Sequence, residues 1–105
     1  MQRINPAVKI ACLAGAILLT PVIASAQDSV SLVLNWMPEG DHAPVYFAKQ
    51  AGWYDEAGLD VSIEPGQGSG MSSQNVGVGS YELGIAELGT AFVAKGQGAD
   101  LKAVM

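Results

Sequence analysis

The spacing of apolar residues changes character several times along the chain. The run VSLVLNW, Val30 to Trp36, is short and nearly continuously apolar, with Val30, Leu32 and Leu34 on one face. Such a run predicts a strand covered on both sides, as in a parallel sheet. Pro38 to His42 reads as a loop, with Asp41 or His42 as cap for a helix that opens at Ala43 and Pro44. Proline suits a first helical turn, where its missing N–H has no intrahelical partner. That helix is expected to run to about Ala51, with Phe47, Ala48 and Ala51 as its buried stripe and Gly52 as its stop.

Trp53 to Gly58 reads as a turn. LDVSIE, Leu59 to Glu64, alternates cleanly and places Leu59, Val61 and Ile63 on the inner face of a second strand. Pro65 to Gly70 is a glycine-rich loop, and Met71 to Val78 a short helix weakened by Gly77. Tyr81 to Glu87 reads as a third strand and Leu88 to Gly96 as a helix stopped by Gly96 and Gly98. LKAVM, from Leu101, reads as the opening of a fourth strand.

The resulting order, β-α-β-α-β-α-β, implies an α/β fold with a parallel sheet. Ligands of such sheets bind outside the carboxyl ends of the strands. Three segments are expected to meet there: Asn35 to His42, Pro65 to Gly70, and Glu87 to Thr90.

The first 26 residues change the picture of the chain's organisation. Arg3 and Lys9 make a positive start, an apolar stretch runs from Ile10 to about Ile23, and Ala24-Ser25-Ala26 is a small-x-small cleavage signal. This is the layout of a secretory signal peptide cut after Ala26. Thr20 and Pro21 interrupt the stretch, which argues against a membrane anchor. Residues 27–105 then form the mature part, expected in the periplasm. Cys12, the single cysteine, lies inside the signal, so the mature part has no thiol for a disulfide or a thiolate metal site. Losing Arg3 and Lys9 leaves three lysines against ten acidic residues, a balance of −7 that argues against nucleic acid as a partner. The open-ended LKAVM suggests the N-terminal part of something longer.

The candidate chemistry is sparse. Trp36 offers a flat indole face for stacking a planar heterocycle, or serves as ordinary half-buried packing. His42 is either a helix cap or a polar group of a site. With one histidine in the chain, a multi-histidine metal site is excluded. Gly68, Ser69 and Gly70 sit in a loop that lacks both G-x-G-x-x-G and a following G-K-[ST]. Their backbone N–H groups can still receive an anion or a polar group at a helix start, or the loop can be a plain connection. Glu87 can accept from a ring amino group or simply favour a helix start. Ser69, Ser72 and Ser73 lack a nucleophile elbow, so no enzyme is indicated and no cofactor is expected.

LNWMPEGDHAPVYFAKQAGWYDEAGLDV, Leu34 to Val61, resembles the start of the mature ABC-transporter solute-binding proteins of the thiamine-pyrimidine family. The matching positions are Leu34, Asn35, Trp36, Pro38, His42, Pro44, Tyr46, Ala48, Gly52, Tyr54, Gly58, Leu59, Asp60 and Val61, and GSYELGIAE looks like a later strand of that family. The resemblance implies a periplasmic-binding-protein-like fold of two lobes. Residues 27–105 would be the N-terminal part of the first lobe, and the second lobe is not represented. It implies a monomeric binding protein that traps a flat heterocycle such as a thiamine pyrimidine precursor and docks on a membrane permease with ATPase subunits. Looser relatives bind sulfonates, nitrate or taurine. Family ligand contacts would correspond to Asn35, Trp36 and His42, with Tyr46 less directly; Gly68, Ser69, Gly70 and Glu87 are added by position. One branch is an enzyme that builds the thiamine pyrimidine from its own histidine and from pyridoxal phosphate near a lysine, in a pattern like G-L-K-A-M-I-H-T. Here GIAELGTA puts Ala86 at the lysine position and Thr90 at the histidine position. The expectation is therefore a binding protein and not an enzyme.

Overall fold

The structure, a computed structural model, describes residues 25–104. The signal-peptide reading falls on residues 1–26 and so lies outside the described residues, apart from Ser25 and Ala26. Strand β1, Asp28–Val33, runs parallel to β2, Leu59–Glu64, in the register Asp28↔Leu59 through Val33↔Glu64. Strand β3, Leu83–Gly84, pairs in parallel with Leu32 and Val33 on the other side. The sheet order is β2-β1-β3, with β1 central. This mixed α/β arrangement is that of the first lobe of a periplasmic-binding-protein-like fold.

The buried apolar centre lies at the carboxyl end of β1. Leu32, Val33 and Leu34 are all buried, as is Val61 on β2, so both faces of β1 are covered there. Burying side chains of this size contributes about 1.5–3 kcal/mol each. The strand starts two residues earlier and ends three residues earlier than the apolar run suggests. Leu34 N–H still donates to Glu64 O at 2.9 Å, but the carbonyls of Asn35 and Trp36 turn to a neighbouring loop.

A 3₁₀ turn, Gly40–His42, leads into helix α1, Ala43–Gln50, with Pro44 in its first turn. Neither Asp41 nor His42 caps α1 with its side chain, contrary to the sequence reading. The expected stripe also fails: Phe47 and Ala51 are exposed, and Ala48 is half-buried. Phe47 instead meets the ring of Trp53 edge-on at 5.5 Å. Helix α2, Trp53–Glu56, occupies the expected turn, and Tyr54 Oη donates to Val45 O at 3.2 Å, fixing α2 against α1. The alternating segment forms β2 with the anticipated bounds.

Helix α3, Ser69–Gly77, begins two residues before the expected start. A Cβ on Gly84 would stand 2.8 Å from Ser72 Oγ, so the bare glycine lets α3 lie directly on β3. The third strand is far shorter than its apolar pattern. The Glu82 side chain bonds Ser31 through both its backbone N–H and its hydroxyl, taking a position a longer ladder would occupy. Helix α4, Leu88–Gly96, has the expected bounds. No strand forms at 101–104 among the described residues. The sheet edges are β2 and β3, and the two residues of β3 offer little to pair with.

Candidate functional site

The three segments expected at the carboxyl ends of the strands do come together. Gly68 N–H donates to Asn35 O at 2.7 Å, and Gly66 N–H to Trp36 O at 3.0 Å. Gly66 is required there. A Cβ at this position would stand 1.7 Å from Leu34 O, which no real contact tolerates. The third segment joins through Ser69, whose Oγ accepts from Glu87 N–H at 2.9 Å. Gly70 comes near Thr90 on the same side, where a Cβ would lie 3.9 Å from Thr90 Cγ2.

His42 is buried, with 2 % of its surface exposed. Its Nε2 lies 2.7 Å from Asn35 Oδ1, and its Nδ1 accepts from Glu39 N–H at 3.1 Å. The Asp41 carboxylate also approaches Nδ1, at 3.3 Å, but its side chain is two-thirds exposed and solvated. The fixed backbone N–H of Glu39 has no other acceptor among the described residues, so it decides the role of Nδ1. His42 is thus satisfied on both nitrogens within the protein, and it is its partner Asn35, half-buried, that borders solvent.

Trp36 is half exposed beside Asn35, its indole available as a flat surface. Gly68 precedes α3 without a side-chain cap, so the amides that open α3 sit next to Asn35 as polar donors. Glu87 is the N-cap of α4. Its Oε1 accepts from Gly89 N–H at 3.2 Å, and its Oε2 from Thr90 N–H at 2.9 Å and Thr90 Oγ1 at 2.6 Å. The Thr90 hydroxyl, then the Thr90 and Gly89 amides, hold its carboxyl below the ordinary value of 4.5. Capping therefore takes up most of this carboxylate and leaves acceptor capacity on Oε1. Tyr46 sits on α1 with no hydrogen bond to the cluster among the described residues.

Sequence reasoning missed Thr90 as a partner of Glu87, although the three-residue spacing at a helix start is a capping signal. It also missed the Asn35–His42 pair. A concavity of about 680 Å³ lies between α3, β3, α4 and residues 100–104, and Asn35, Trp36, His42 and Glu87 do not line it. Leu83, Leu88 and Phe92 line it.

The chain is similar to 4-amino-5-hydroxymethyl-2-methylpyrimidine phosphate synthase THI11 of Saccharomyces cerevisiae, 31 % identical over 74 residues, covering 70 % of this chain and 22 % of the relative. The synthase of that name from Legionella pneumophila is 31 % identical over 77 residues, covering 72 % of this chain and 24 % of the relative. The one from Candida albicans is 30 % identical over 74 residues, covering 70 % and 22 %. The chain spans about a quarter or less of the length of these curated relatives. No solved structure matches. These names overturn the expectation that no enzyme is involved: the relatives are synthases. Residues 39–105 match the family model described as NMT1/THI5 like, and the chain belongs to that family.

Proposed function

We propose that this chain forms one wall of a thiamine-pyrimidine site in a protein akin to the pyrimidine phosphate synthases it resembles. The observation that carries this reading is the convergence of Asn35, Trp36, the Gly68–Ser69 corner and Glu87 at the carboxyl ends of three parallel strands. A flat ring can lie on the Trp36 indole, while Asn35, the first amides of α3 and the free capacity of Glu87 Oε1 meet its polar edge. His42 supports the wall from behind.

Pyridoxal phosphate, which the enzyme branch uses, does not fit the segment this chain contributes. Ala86 and Thr90 stand where that branch carries lysine and histidine. Lys49 Nζ bonds Val61 O, Lys95 Nζ donates to Leu101 O, and Lys102 lines the concavity between α3, β3 and α4, so none of these three amines serves the cluster. That same observation favours a second reading, an import-associated binding protein for the same pyrimidine class, exported to the periplasm and docking on a permease.

The deciding experiment is isothermal titration of the full-length protein with 4-amino-5-hydroxymethyl-2-methylpyrimidine, run beside an assay for formation of its phosphate. Binding with product formation supports the synthase reading. Binding without product supports the importer reading, and no binding removes both.

A further inference from the structure

We infer that His42 fixes the direction of the Asn35 side-chain amide, so that this wall presents an N–H donor and selects rings carrying an unprotonated in-plane nitrogen. The inference rests on the pyrimidine-site reading and sharpens it. Glu39 N–H donates to His42 Nδ1, so Nδ1 supplies a lone pair and Nε2 carries the ring hydrogen. Nε2 then donates to Asn35 Oδ1 across 2.7 Å. Oδ1 therefore faces His42, and the amide oxygen and nitrogen are assigned by the network itself.

An amide whose oxygen is held has one group left to offer. Asn35 Nδ2 carries two hydrogens and has no protein partner among the described residues. It is not among the buried polar atoms without a partner, so it reaches solvent. Asn35 is followed directly in the chain by Trp36, whose indole is exposed, and the Asn35 carbonyl is already taken by Gly68 N–H. A ring that stacks on Trp36 with its edge against Asn35 would meet a donor, not an acceptor, at that edge. A ring nitrogen with a free lone pair satisfies it; a C–H leaves it unpaired, and a ring N–H repels it. His42 is a positioning residue, acting on ligand only through Asn35. Without the histidine donor the amide can turn over and present Oδ1 instead.

The test uses the full-length protein and two probes, 4-amino-5-hydroxymethyl-2-methylpyrimidine and its benzene counterpart, in which both ring nitrogens are C–H. Wild type should prefer the pyrimidine by about tenfold, the worth of one directed hydrogen bond. His42→Phe keeps a ring of similar size and loses the donor; its preference should fall to within about twofold, with affinity for the benzene counterpart unchanged. His42→Gln, which restores an N–H, should recover part of the preference. Asn35→Asp, which offers only acceptors, should lose the preference as well. The inference is overturned if His42→Phe weakens both probes by the same factor, which marks a purely structural role. It is also overturned if Asn35→Asp keeps the preference, a result that decides the matter even where His42→Phe does not fold. Failure of wild type to bind either probe overturns the pyrimidine reading itself, whereas equal binding of both probes overturns this inference alone.

Discussion

Adding one methyl group at Gly66 should separate the two strands that carry the site. In Gly66→Ala the new Cβ would stand 1.7 Å from Leu34 O, 2.6 Å from Leu34 C and 2.9 Å from Asn35 C, all backbone atoms that no rotamer change can move. Relief to even 3.0 Å requires a backbone shift of about 1.3 Å. The bonds from Gly66 N–H to Trp36 O and from Gly68 N–H to Asn35 O, now 3.0 and 2.7 Å, would then lengthen to about 4 Å, beyond hydrogen-bond range. Two lost bonds at about 1 kcal/mol each, with overpacking strain of about 1–3 kcal/mol, give a loss of about 3 kcal/mol or more. Urea unfolding of the full-length protein measures it directly. Gly96→Ala is the control, because nothing lies within 4 Å of a Cβ there. The variant should also bind the pyrimidine weakly, since Asn35 and Trp36 move with the backbone. A Gly66→Ala protein with the urea midpoint of Gly96→Ala and unimpaired binding would refute the reasoning.

Two further outcomes follow from the same geometry. Trp36→Ala should abolish the ligand-induced fluorescence change of the full-length protein, while Trp53→Phe should retain it because Trp53 packs edge-on against Phe47; a signal that survives Trp36→Ala would make that residue structural. Glu82 and Glu87 both have carboxyls held below 4.5, the first chiefly by the Ser31 hydroxyl and then its amide, the second chiefly by the Thr90 hydroxyl. A depressed folded-state value means the stabilisation is complete above about 4.5 and is lost as pH falls below it. Amide exchange at Ser31 and Thr90 should therefore rise relative to the β1–β2 ladder between pH 5 and 3 after correction for intrinsic rates, and an unchanged ratio would refute it.

What was legible in the sequence was whatever a local pattern decides. The alternation of Leu59, Val61 and Ile63 produced β2 because one face of that strand is buried and the other wet. The carboxyl-end rule placed the three site segments together before any contact was known. What was not legible depended on partners distant in the chain. Tyr81 to Glu87 has a strand's composition, yet Glu82 bonds Ser31, 51 residues away, with its side chain and cuts the ladder short. Phe47 has helical spacing for a core, yet α1 packs chiefly on α2 and the preceding 3₁₀ turn, and the Phe47 ring is exposed and meets Trp53 edge-on.

His42 shows the difference most clearly at the site. From the sequence it is a lone histidine in a polar loop, a residue that is more often a helix cap or a satisfied surface group than a catalyst. Its actual role is set by two distances, to a backbone amide three residues before it and to a side chain seven residues before it. Neither is a pattern of residue types; both depend on the chain turning back over the end of β1. The consequence is that a motif such as N-W-x-P-x-x-x-H names the residues of the wall but not their division of labour. Both histidine nitrogens are taken up within the protein, and it is the asparagine that borders solvent.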